Sequence, residues 1–388
     1  MLAWFVHVNL IFINELRYDS NPSRKYLACL LASISRVTSW HLERGKYTVI
    51  QRILIIGHGS IGKRHLRIIR ESLPEAKILV LRHLPTSDVP EFADYVSSSL
   101  AEAVDFSPQV AMIAGPAPFH VFYARALIPV GCHLFIEKPI ASETKGVREL
   151  LIQADTAHLV CQVGYNLRFL PSLVEFRRLI HQGWIGKALT VHCEIGQYLP
   201  DWRPGTDYRE GVSARRDKGG GVLLELSHEF DYLRWIFGNA RWVSAWMGKL
   251  SDLDIDVEDT AHVTIGFESM GGDREVLVSL MMDFIRRDTT RMCTVIGSEG
   301  SIRWNGSTGI IEWFKPGASA WTQIAHHPAG RDDSYRAQWA HFLDCVQSGS
   351  RPLVDGEAGL EVLNIVEGVK QSVTMQGQRQ IIFSDKKK

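Results

Sequence analysis

The chain has 388 residues, 45% of them hydrophobic and 22% charged, and its 43 basic residues match 43 acidic ones. That length exceeds one ordinary domain and allows two hydrophobic cores, while zero net charge provides no basic surface for nucleic acid or an anionic membrane. The six cysteines, Cys29, Cys132, Cys161, Cys193, Cys293 and Cys345, lack the spacing of a zinc site or disulfide framework and fit a reducing, cytoplasmic setting.

Residues 2–12 are apolar, yet no lysine or arginine precedes them, Asn9 and Asn14 interrupt the stretch, and it is too short to span a bilayer. Residues 1–50 therefore read as an N-terminal extension, with the folded pattern beginning near Arg52. Ile53-Leu54-Ile55-Ile56 suits a strand buried on both faces, and Ile61, Leu66 and Ile69 follow at helical spacing. Between them, Gly57-His58-Gly59-Ser60-Ile61-Gly62 places G-x-G-x-x-G in the strand, turn and helix order of a dinucleotide site. Gly57 permits the tight turn, Gly59 admits a pyrophosphate and Gly62 allows close helix packing. Ser60 and Ile61 stand at the helix start that faces the phosphates.

Strands at 77–81, 109–114, 133–136 and 158–163 alternate with helices at 119–130 and 143–154. This pattern predicts an α/β fold, a doubly wound parallel sheet of the Rossmann type over 51–168. The loops after its strands gather on one rim, where Pro116, His120, Glu137 and Lys138 join the glycines as candidate cofactor contacts. The second strand ends in Arg82-His83, not in the acid that binds a ribose 2′-hydroxyl, so the reading favours NADP over NAD. The pattern changes over 169–388. Strands at 189–197, 241–247, 261–267, 276–282 and 294–296, with helices at 221–237, 334–346 and 357–373, predict an α+β domain whose strands are antiparallel.

Three groups of residues can carry chemistry. Lys138, on the ligand rim, suits a charge-assisted hydrogen bond to a substrate hydroxyl. Glu225, His228 and Asp231 recur at three-residue intervals on the 221–237 helix and share a face, the histidine exchanging a proton and the carboxylates tuning it. No second histidine lies at an i,i+4 spacing, so no metal is expected. Trp202, Arg203 and Tyr208 combine rings and cations that suit a sugar with a carboxylate or phosphate, and equally suit a satisfied surface network.

The glycine motif, Gly115-Pro116 with His120, Glu137-Lys138-Pro139, Gly164-Tyr165-Asn166-Leu167-Arg168-Phe169 and the glycine-rich entry to the His228 helix occur in one order. In this the chain from about Arg52 onward resembles the glucose-fructose oxidoreductase, inositol dehydrogenase and MocA family. The resemblance implies a Rossmann domain followed by an α+β domain with a large open antiparallel sheet that serves a homodimer or homotetramer. It also implies an NAD(P)-dependent dehydrogenase or reductase acting on CH–OH groups of sugars, inositols or sugar derivatives. Lys138 and His228 match the family's active-site lysine and histidine. Many members place an aspartate four residues before the histidine, whereas Glu225 stands three before, so either Glu225 substitutes or the acid is dispensable. Arg168 joins the loop residues as a candidate substrate contact, the expected substrate being a sugar, amino sugar or nucleotide-linked sugar. The alternatives are a non-catalytic cofactor-binding sensor of the same fold and a reductase of an unrelated carbonyl or dihydrodiol.

Overall fold

Arg52–Ile56 forms β1, its last four residues buried, in a computed structural model that describes residues 49–268 and 275–382. The N-terminal extension up to residue 48 and the terminal Lys386 to Lys388 lie outside the described residues. β1 pairs in parallel with β2 (Lys77–Leu81) and β4 (Val110–Ile113). With β3 (Tyr95–Ser97), β5 (His133–Ile136) and β6 (Cys161–Val163), the sheet order is β3-β2-β1-β4-β5-β6. Helices α1 (Ser60–Ser72), α2 (Leu100–Asp105), α3 (His120–Leu127) and α4 (Val147–Thr156) make the crossovers. Burial on both faces explains the unbroken Ile, Leu and Val of the central strands. The strand order reverses between β1 and β4, which opens a crevice at their carboxyl ends.

The second sheet has nine strands in the order β14-β13-β12-β11-β7-β10-β9-β8-β15. They are β7 (Ala188–Gly196), β8 (Ala240–Gly248), β9 (Thr260–Phe267), β10 (Val276–Asp283), β11 (Thr290–Gly297), β12 (Gly300–Asn305), β13 (Ile310–Phe314), β14 (Thr322–His326) and β15 (Gln380–Ile381). Its pairs are antiparallel except β7 with β10, which run parallel and end together at Gly196 and Asp283. This exception to the expected pattern brings the ends of β7 and β10 and the start of β11 to one sheet edge. Val278, Leu280 and Met282 point into the core, whereas Leu277 and Met281 remain exposed on the other face. Helices α5 (Pro171–His181), α8 (Asp333–Ser348) and α9 (Gly356–Thr374) complete the unit. α8 returns to the parallel sheet, where Trp339 and Phe342 pack on Phe135.

The helix expected over 221–237 is broken into α6 (Val222–Glu225) and α7 (His228–Phe237). At the break the Ser227 hydroxyl donates to the Leu224 carbonyl at 2.8 Å, a local bond that competes with helix continuation. Gly221, at φ +97°, fixes the entry, since a Cβ there would lie 2.3 Å from the Glu258 carboxylate. Glu225, His228 and Asp231 consequently do not share one helical stripe. Among the described residues no helix is long and apolar enough to cross a membrane, and the described cysteines are free and buried.

Candidate active site

The glycine loop owes its form to close approach. A Cβ on Gly57 would lie 2.8 Å from the Gly115 nitrogen, and one on Gly62 would lie 2.2 Å from the Gly57 oxygen. Gly59 differs: a Cβ there would meet nothing within 4 Å, so its bare backbone faces outward beside Ser60 and Ile61 in the first turn of α1. An open backbone at a helix N-terminus fits a pyrophosphate. Pro116 stands half-buried on the adjoining loop. Arg82 follows β2, held by its backbone N–H to the Ser97 carbonyl. Burial, then the charges of Lys63 and Arg82, hold the His58 imidazole below its ordinary value. Two basic groups that sequence reasoning left out, His58 and Lys63, thus accompany Arg82 at this rim.

Lys138 reaches across from the parallel sheet to α6. Its Nζ donates to the Glu225 carbonyl at 2.8 Å and lies 3.6 Å from the Glu225 carboxylate. The other Glu225 oxygen accepts from the Ser213 hydroxyl at 2.6 Å. Beneath them, His65 donates from Nε2 to Glu137 at 2.6 Å, and the second Glu137 oxygen accepts the backbone N–H of Lys138 at 3.0 Å. Burial alone would raise the Glu137 carboxyl, but the bond and charge of His65, followed by the charge of Lys138, hold it below the usual range. Glu137 is thereby a buried support for Lys138, not an exposed cofactor contact. His65 was missed in the sequence, although it stands four residues after Ile61 on the apolar stripe of α1 and thus among core positions.

His228 opens α7, its ring edge-on to buried Tyr165 at 5.6 Å. Its Nδ1 is buried without a partner, which leaves Nε2 as the nitrogen open to a substrate hydroxyl. Burial, then the charges of Lys138 and Arg291, push its pKa well below the ordinary value. The neutral base therefore persists to lower pH than in a free histidine. The acid limb of kcat/KM for alcohol oxidation is expected below pH 6.5, as measured by initial rates across pH. A limb at or above that value would remove His228 as the base.

Several expected contacts are engaged by the protein itself. Asp231 forms a buried two-pronged pair with Arg168, at 2.6 and 2.9 Å, and Arg168 also donates to the Leu353 carbonyl at 3.1 Å. Both Asp231 oxygens are taken up by Arg168, and the charges acting on His228 are those of Lys138 and Arg291, so Asp231 does not tune the histidine and Arg168 is not available to a substrate. His120 is buried with its ring nitrogens 2.8 Å from the Gly115 carbonyl and 3.0 Å from the Pro139 carbonyl, tying the two rim loops together rather than facing a cofactor. Trp202 donates to the Gln197 carbonyl at 3.0 Å and packs edge-on against Phe284. The Tyr208 hydroxyl accepts the Asp254 N–H at 3.1 Å. Of these three residues, Trp202 and Tyr208 are half-buried and Arg203 is exposed. Among the described residues no group of three metal-ligating side chains gathers.

Residues 51–165 match the model of an oxidoreductase family's NAD-binding Rossmann fold, and residues 177–378 match that family's C-terminal alpha/beta domain. An inositol 2-dehydrogenase/D-chiro-inositol 3-dehydrogenase of Halalkalibacterium halodurans is 25% identical over 356 residues, spanning 85% of this chain and 93% of that protein. An uncharacterized oxidoreductase of Bacillus subtilis, YrbE, is 25% identical over 337 residues, spanning 82% and 93%. Two solved structures share the fold. A levoglucosan dehydrogenase with NADH has a TM-score of 0.73 at 20% identity, covering 86% of this chain and 99% of that one. The WlbA dehydrogenase of Bordetella pertussis with NADH and UDP-GlcNAcA has a TM-score of 0.70 at 20% identity, covering 87% and 100%. The chain belongs to the Gfo/Idh/MocA oxidoreductase family and is an NAD-binding oxidoreductase.

Proposed function

We propose that the protein transfers a hydride between a nicotinamide dinucleotide, preferentially NADP, and a hydroxyl or carbonyl carbon of a sugar, amino sugar or nucleotide-linked sugar. The convergence of Lys138 with the Glu225 to His228 break, on the same rim as the glycine turn, carries this reading. A bound nicotinamide supplies the hydride chemistry at its C4. His228 takes the hydroxyl proton at Nε2 in oxidation and returns it in reduction. Lys138 donates to the same oxygen and stabilises the charge that develops on it. Glu225 and Ser213 hold the Lys138 ammonium in place. In this reading residues 51–168 bind the dinucleotide, and residues 169–388 supply substrate contacts and self-association. The inositol dehydrogenase relative supports a polyol-like substrate. Trp246, Leu277 and Met281, exposed on the outer face of the nine-stranded sheet, support a homodimer or homotetramer. The buried free thiols support a reducing, cytoplasmic setting.

Arg82 decides the cofactor preference. Arg82→Glu is expected to weaken NADPH binding by about 30-fold while NADH binding holds or improves, because the charge that meets a 2′-phosphate is inverted. Fluorescence titration of both cofactors checks this, and equal weakening of the two would refute the preference. Nicotinamide absorbance across a panel of sugars, inositols and nucleotide sugars tests the activity itself. Tight cofactor binding with no turnover on any of them would favour a sensor.

A further inference from the structure

Arg291 is the second residue of β11, opposite Ile195 of β7 and on the sheet face that carries α7. Its Nε donates to Glu229 at 2.8 Å, and Glu229 directly follows His228 in the chain. The pair is asymmetric. The Glu229 side chain is 0% exposed, whereas that of Arg291 is 23% exposed, so the accessible part of the pair belongs to the cation. The contact uses one prong only: the second Glu229 oxygen is buried without a partner, and the two Nη groups of Arg291 have no hydrogen bond among the described residues. The buried Arg168–Asp231 pair, by contrast, closes both prongs. Gly306 lies along the arm, where a Cβ would sit 2.8 Å from Arg291 Cγ and Cδ. The aliphatic arm of Arg291 thus runs close along the Gly306 backbone.

The charge of Arg291 reaches the reacting centre, since it is one of the two cations acting on His228. The neighbouring acids are engaged elsewhere, Glu225 with Lys138 and Ser213 and Asp231 with Arg168. We infer that Arg291 forms an anion subsite beside His228 and that the substrate carries a carboxylate near its reacting carbinol, as in a glycuronic acid. The inference rests on the oxidoreductase reading above. A planar fork offers parallel N–H donors to the two oxygens of a carboxylate, whereas a neutral hydroxyl leaves donors unmatched.

The test is kcat/KM of the full-length protein, with NADP+ and with NAD+, for D-glucuronate against D-glucose and D-galacturonate against D-galactose. The acid is expected to exceed its neutral parent by about 100-fold, the scale of a charge-assisted pair in a confined site. In Arg291→Met combined with Glu229→Gln, which leaves no lone buried charge, the acid-to-neutral ratio is expected to fall by about 100-fold. Arg291→Lys, which keeps the charge and loses the fork, is expected to hold an intermediate ratio. Neutral sugars turned over as well as their acids, or a ratio unmoved in the double variant, would overturn the subsite and leave the oxidoreductase reading standing. No turnover of acid or neutral sugar by protein that binds nicotinamide would overturn both. If the double variant does not fold, the wild-type ratio decides alone.

Discussion

Lys138→Met is expected to lower turnover by about 10³-fold while leaving the dissociation constant of the nicotinamide cofactor within about threefold of the wild type. The reason lies in where the ammonium is held. Its Nζ is anchored on the Glu225 carbonyl at 2.8 Å, with the Glu225 carboxylate at 3.6 Å, on the side of the rim that meets α6. The glycine turn and the start of α1, the proposed phosphate site, are built from other residues. An ammonium already in position when negative charge develops on the substrate oxygen stabilises the transition state more than the ground state, so the loss falls on kcat. Methionine fills the aliphatic part of the lysine volume and removes only the charge and the donors. Stopped-flow single turnover, with cofactor titration of the same protein, separates the two quantities. Retained turnover would remove Lys138 from the chemistry. A cofactor constant weakened in step with turnover would make it a binding residue only.

The site was legible in the sequence where it depends on local order. Gly57, Gly59 and Gly62 sit between a strand and a helix, and Lys138 sits just past the strand that ends at Ile136. Such positions follow from chain direction and the strand-end rule. Pairings that join distant segments were not legible. Arg168 and Asp231, 63 residues apart, meet inside the core; Arg291 and Glu229 are 62 apart and His65 and Glu137 are 72 apart. Nothing in local spacing tells which carboxylate, far along the chain, an arginine will meet, which is why Arg168 read as a contact and Arg291 went unread. The break at Ser227 was hidden for a related reason. Glu225, His228 and Asp231 fit helical periodicity, while the competing bond from the Ser227 hydroxyl and the approach of Glu258 to Gly221 are visible only in three dimensions. Likewise β12 to β15 escaped, because they are short, two to six residues each, and too brief to show a period even where Ile302, Trp304 and Ile311 are fully buried.

The buried Arg168–Asp231 pair predicts the largest stability effect. Arg168→Met strands a carboxylate whose side chain is 1% exposed, and breaking such a pair by removing one partner costs about 3–5 kcal/mol. Urea denaturation should show a lower midpoint with little change in slope. Arg168→Met together with Asp231→Leu should recover most of the loss, since no charge then stays buried. The pH dependence supplies a second signature. Burial raises the Asp231 carboxyl even with the opposing charge of Arg168 in place, and removing that charge raises it further. A group whose folded pKa lies above its unfolded value contributes stability at low pH and loses it as pH rises through the folded value. The deficit of Arg168→Met relative to wild type is therefore expected to narrow as pH falls from neutrality and Asp231 takes up a proton. A deficit that stays constant with pH, or that the double variant does not relieve, would mean that Arg168 stabilises the fold through its packing against Trp235, 5.8 Å from the guanidinium, rather than by neutralising Asp231.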